Sequence, residues 1–289
     1  MAKKTAKVTE EAKATEQATT NAVATQENKD VQVSGEAGNV ANWGTGGVSS
    51  QDIIIPRILL LQPMSQMVTN GEGVFGEFRE SLAQEVIAAV DDSFDVIPFH
   101  MEKVWIEFNV EDPNDKKFLR TVPIVPANEQ LPYNYEYKDD KTGKTLKGMR
   151  DRTMNFYVLR PSELDAGSAL PYIISCRRSS LQAGKKIATQ MYVKNTASGK
   201  TPAATVMSMS ASKTTNDKKQ TYAVMDAKPV RPAKQEHIVE AFKWFQLIQS
   251  GKAKAHEESY SEEARGEGFE GGGNAGGQAQ PQASGPSRF

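Results

Sequence analysis

Seven cations, Arg177, Arg178, Lys185, Lys186, Lys213, Lys218 and Lys219, stand in one stretch of this 289-residue chain. Tyr192 lies among them with Tyr222 just after, and Trp105 and Tyr157 precede them. Guanidinium and ammonium groups neutralise phosphates, and flat rings stack on unpaired bases at roughly 1–3 kcal/mol per base. This mixture is what a single-stranded nucleic-acid groove requires. The same residues, taken singly, also fit a solvated basic face or ordinary strand packing, as for Tyr157.

The charge distribution favours a polyanion. Lys138 to Lys234 holds 19 Lys and Arg against 7 Asp and Glu, whereas Ser50 to Tyr137 holds 6 against 15. The total of −1 hides this contrast.

Catalytic patterns are absent from the sequence. It contains no phosphate-binding G-x-x-x-x-G-K-[ST], no G-x-G-x-x-G after a strand, no H-E-x-x-H and no G-x-S-x-G. His100, His237 and His256 stand in unrelated contexts, and His237 reads as a first-turn surface residue of the last helix. Asp91, Asp92, Asp95, Glu102 and Glu107 are numerous enough for a two-metal nuclease if they converge, and otherwise form the solvent face of a strand. The expectation is a binding protein with no catalytic residues, metal or cofactor.

The elements that position these residues follow from periodicity. Residues 53–61 are β-branched and apolar with Pro56 inside, so they form an edge or bulged strand, or two short strands. Phe94 to Phe108 alternates with period two and is the clearest strand, followed by Met154–Arg160 and Leu170–Arg177. Residues 109–152, with four prolines and a Tyr133–Tyr137 aromatic cluster, read as a long loop. Ser179 to Val193 is helical with Leu181, Gly184, Ala188 and Met191 on one face, capped by Ser179 or Ser180. Thr205 to Val224 reads as a hairpin with lysines at its tip. Gln235 to Ser250 is an amphipathic helix presenting Ile238, Phe242, Phe245 and Ile248, stopped by Gly251. The class is α+β, mainly antiparallel, with one or two packed helices over residues 50–251.

Both ends are too poor in apolar residues to offset their chain entropy, so 1–49 and 252–289 read as disordered. Cys176 is the only cysteine, which excludes an intramolecular disulfide and fits a reducing cytoplasm. No apolar run follows Lys3, Lys4 and Lys7, and none is long enough to span a membrane, so the expected location is cytoplasmic.

A series of short motifs carries a resemblance. Ile55-Pro56-Arg57-Ile58-Leu59-Leu60-Leu61-Gln62, Gly76-Glu77-Phe78, Val96-Ile97-Pro98-Phe99, Ser179 to Lys186, and Thr215-Asn216-Asp217-Lys218 before Tyr222 resemble a group of bacteriophage proteins related to single-stranded DNA-binding proteins. The resemblance spans about residues 51–226. It implies an OB-like β-barrel that coats single strands in phage replication or recombination. Where that pattern has Gly after Asn-Asp-Lys, this chain has Lys219. Such proteins carry acidic tails that recruit replication or recombination partners and compete with DNA. Here the acidic block, Glu257 to Glu270, stands well before the terminal Phe289.

The expectation is sequence-independent binding of single-stranded DNA, in a host cytoplasm, by a chain able to form homo-oligomers. Two rivals are a virion or assembly protein, with residues 53–61 as an interface strand, and a metal-dependent nuclease.

Overall fold

A computed structural model describes residues 53–110, 117–139, 142–168, 170–251, 253–255 and 260. The expected disorder of 1–49, and of the tail beyond Tyr260, lies outside the described residues.

Pro56 has no N–H for a ladder, and the first apolar run accordingly divides into β1 (Ile54–Ile55) and β2 (Arg57–Leu60). A single turn, α1 (Gln66–Thr69), leads to the short antiparallel pair β3 (Phe78–Glu80) and β4 (Val86–Ala88). Next comes β5 (Ser93–Asn109), the long strand that the alternation from Phe94 predicts.

The stretch expected to be a loop instead contains β6 (Lys117–Pro123), β7 (Asn134–Lys138) and the first half of β8 (Thr145–Leu159). Its strands alternate weakly because β6 and β7 bury no residue fully. After the short helix α2 (Pro161–Asp165), β9 (Pro171–Arg177) returns along β8. Helix α3 (Leu181–Ala188) continues as a π-helical stretch over Thr189–Asn195. Ser180, an expected cap, makes no side-chain cap; its Oγ accepts from Met225 N at 3.5 Å. The hairpin is β10 (Thr205–Thr215) with β11 (Thr221–Pro232), then come α4 (Gln235–Gln249) and β12 (Lys254–Ala255).

Ten strands form one sheet, eight of them in the order β11-β10-β5-β8-β9-β2-β3-β4 with β6 beside β5 and β7 beside β8, antiparallel except for β2 with β9. Strands β5 and β8 are long enough to serve two neighbours in succession. Along β5, β10 pairs with residues 93–96 and β6 with 104–109; along β8, β9 pairs with 153–159 and β7 with 145–149. The pairing path ends at β11 and β4, so the sheet is not closed into a barrel. Length, rather than closure, satisfies the central edges. The outermost strand β11 carries Pro229 and Pro232.

The sheet is apolar on both faces, so each face takes a helix. On one, Ala183 and Ile187 of α3 and Met191 pack on Val96, Met154, Phe156, Ile174 and Met207. Gly184 permits the approach, since a Cβ there would lie 2.8 Å from Cys176 Cβ. On the other, Ala241 and Ile248 of α4 pack with Ile97, Tyr157, Leu159 and Ile173. Helix α4 is turned from the expected face. Phe242 is 58% exposed, and His237, expected on the surface, is buried. Small Ala241 brings the helix close, and His237 Nε2 meets Asp165 Oδ1 at 3.0 Å.

The chain past Gly251 also joins this body. Strand β12 pairs in parallel with β1, and Tyr260 is buried with Val104, Ile106, Phe108 and Met149.

Candidate nucleic-acid interface

Helix α3 and strand β11 border an open groove of about 400 Å3 lined by Lys185, Lys186, Lys194 and Lys228. The burial of Ala183, Gly184 and Ile187 turns Lys185 and Lys186 outward. Lys194 extends the row at a spacing of eight from Lys186, and Lys228 faces it from β11. One carboxylate offsets these charges: Asp226 bonds Lys186 Nζ and lies 3.9 Å from Lys228 Nζ. The Lys186 hydrogen bond holds the Asp226 carboxyl below its ordinary range despite partial desolvation. Lys194 and Lys228 were not singled out from sequence; the available signal was the continued helical spacing and the alternation of β11.

The hairpin sends its lysines elsewhere. Lys213 Nζ lies 4.9 Å from the Phe75 ring centroid, with its stem beside Gly76. Lys218 and Lys219 are exposed in the connecting loop, where Lys219 has φ +61°. That is the left-handed region glycine favours, and Lys219 adopts it with a full side chain. Tyr222 is half-buried opposite Thr214. Tyr192 is 41% exposed beyond α3; burial raises its hydroxyl above the ordinary value, against a hydrogen bond with the Met101 backbone.

Three expected contact residues are buried and a fourth is partly so. Arg177 is buried with its Nη1 3.4 Å from Asp151 Oδ2, because β9 alternation turns it inward beside Ser175. Arg178 is partly buried and binds the same carboxylate through Nε at 3.1 Å and Nη2 at 2.9 Å. Tyr157 is buried and donates to Glu102 at 3.1 Å, and desolvation raises its hydroxyl far above the ordinary value. Trp105 is buried and donates its Nε1–H to the Asn128 carbonyl at 2.9 Å. In this structure their rings and charges serve internal contacts.

Arg177 and Tyr157 nevertheless stand beside a polar row that the sequence did not reveal. Arg57, Ser175 and Asn155 lie on the α4 face of β2, β9 and β8, and all are buried. Arg57 Nη2 donates to Ser175 Oγ, Ser175 Oγ donates to Asn155 Oδ1 at 2.5 Å, and Asn155 Nδ2 donates to Tyr260 Oη at 2.8 Å. Arg57 closes the circuit over the Tyr260 ring, its Cζ 3.6 Å from the centroid, and Phe118 stacks against that ring at 5.4 Å. Burying such polar groups is costly unless each is partnered. The only signal in sequence was the break in apolar alternation at these three positions.

The acidic residues considered for metal chemistry separate. Glu107 binds Arg150 at 2.5 Å and Arg120 at 2.8 Å, Asp95 binds Arg231 at 3.2 Å, and Glu102 faces His100 and Tyr157. Among the described residues, ligand atoms converge within 4.8 Å at Asp165, Glu236 and His237. The Lys234 ammonium already stands there, 2.6 Å from Asp165 and 3.8 Å from Glu236, and lowers the Asp165 carboxyl. A second cation would meet its repulsion.

A family model described as Pam3 phage gp34-like protein matches residues 19–254. The chain belongs to that family. Membership makes it a phage-type protein and covers both the groove and the polar row. Comparison with curated proteins and with solved structures finds no match. Among the described residues of this gp34-like chain, no helix is long and apolar enough to cross a membrane.

Proposed function

We propose that the protein binds single-stranded DNA without sequence preference, in phage-type replication or recombination in the host cytoplasm, and performs no chemistry on it. The observation that supports this most is the groove between α3 and β11, where Lys185, Lys186, Lys194 and Lys228 line one space and, among the described residues, Asp226 is the carboxylate paired with them. Four convergent ammonium groups on rigid elements suit a phosphate backbone better than a neutral ligand. Partly exposed Tyr192 offers a ring beyond the same helix. An OB-like barrel is not required, since a helix on an open sheet already makes a groove of this kind. Recruitment of replication or recombination proteins by the C-terminal segment, and self-association along DNA, accompany this reading.

The test is fluorescence anisotropy of a labelled oligo-dT titrated with the full chain at several salt concentrations. Engagement of four phosphates gives a log–log salt slope of about −3. Affinity that does not change with salt defeats the proposal.

A further inference from the structure

The side chain of Tyr260 fills a slot built from residues distant in sequence, and its surroundings are those of a bound ring. Arg57 covers the ring at 3.6 Å, Phe118 stacks with it at an interplanar angle of 27°, and the Asn155 amide reaches its polar edge at 2.8 Å. We infer that this slot is a binding site for a planar aromatic ring, whose ligand is a nucleobase of single-stranded DNA and whose occupant in the free protein is Tyr260. The inference rests on the DNA-binding reading above and adds a second contact to it.

Three observations carry it. First, Arg57, Ser175 and Asn155 occupy positions on a sheet face where neighbouring Ile173, Tyr157 and Leu159 make an apolar core. The Tyr260 ring packs on apolar Val104, Ile106, Phe108 and Met149 as well, and to that socket the guanidinium adds a cationic face and the amide a polar edge. Second, the donor set suits a base. A guanidinium and an aromatic ring provide stacking faces, and a carboxamide supplies both a donor and an acceptor at the edge. Third, the chemistry of the tether imitates the ligand. Strand β12 contributes a two-residue pairing to β1, and in sequence Tyr260 stands between Glu257-Glu258 and Glu262-Glu263. An aromatic ring bracketed by anions repeats the pattern of a nucleotide within a strand, so release of one and entry of the other exchange like contacts.

The groove lies on the α3 side of the sheet and the slot on the α4 face. A strand that fills both is long, and a long oligo-dT is the probe. An abasic strand of the same length keeps the phosphates and lacks the bases.

The full chain and Tyr260→Ala are titrated with both strands. Vacating the slot strengthens oligo-dT binding about tenfold, the value of one stacked base, and leaves the abasic strand unchanged. Equal strengthening for both strands overturns the ring site and leaves only an electrostatic effect of the tail. Unchanged oligo-dT affinity overturns the inference while the groove reading stands. No binding of either strand by either protein removes that reading and this inference together. Hydrogen exchange on the unmutated chain needs no variant: segment 253–262 exchanges faster with oligo-dT and not with the abasic strand. Equal exchange in both complexes overturns the inference even if Tyr260→Ala does not fold.

Discussion

Asp151 receives two consecutive arginines on one carboxylate, Arg177 at 3.4 Å and Arg178 at 2.9 Å, and the first of these is buried with it. Arg178 reaches back to it with a φ of +45°. Residues that read in the sequence as phosphate contacts thus anchor the end of β9 to β8. Asp151→Asn leaves buried positive charge uncompensated and lowers unfolding stability by about 3 kcal/mol. Urea denaturation measures this, and a loss under 0.5 kcal/mol would show that the carboxylate does not hold the pair.

Glu107 gives the molecule an acid-sensitive contact. Burial alone would raise its carboxyl, but the hydrogen bonds from Arg150 and Arg120 outweigh that and hold it below the ordinary 4.5. A carboxyl lowered on folding stabilises fully above its unfolded value, and the contribution is lost as pH falls through the folded one. Glu107→Gln is therefore less stable than the natural chain at pH 7, and the gap narrows below pH 4.5. Parallel unfolding curves across this range would refute the assignment.

Gly184 marks where α3 touches the sheet. A Cβ there lies 2.8 Å from Cys176 Cβ and 3.2 Å from Met154 Sδ. Gly184→Ala displaces the helix, costs about 1–3 kcal/mol as overpacking, and tilts the lysines of the groove. An unaltered melting temperature is the contrary result.

Lys219 combines charge with an unfavourable backbone. Its φ of +61° costs about 1 kcal/mol relative to glycine. Lys219→Gly raises the melting temperature and, where the hairpin tip touches DNA, makes the salt slope shallower by about 0.7. A lower melting temperature contradicts the strain argument.

Replacing Lys185, Lys194 and Lys228 together by Gln makes the salt slope shallower by about 2. Circular dichroism should remain unchanged, since all three are exposed. A retained slope places the DNA elsewhere.

Periodicity made the central strands and both long helices legible, because Phe94 and Val96, or Ala183 and Ile187, bury one side of a repeating element. Strands β6 and β7 escaped notice because prolines border them and their residues remain half-exposed against β5 and β8. The orientation of α4 was obscured by apolar residues around most of its circumference; Ala241 and His237 decided it through contacts with other elements. Within the candidate site, lysines on α3 were visible as outward positions of a helix. The row Arg57, Ser175 and Asn155 was hidden, since its polarity has meaning only once three strands are adjacent. Tyr260 stood in a segment whose composition indicates a solvated tail.

Pro229 and Pro232 give the outermost strand a further significance. Two backbone donors are missing from β11, and the opposite end of the sheet, β4, is three residues long. From Pro229 onward β11 cannot carry a continuous ladder to a second copy, and β4 offers three residues for one. On the proposed function, copies side by side on one DNA strand would meet at these two ends through side chains rather than through a shared ladder.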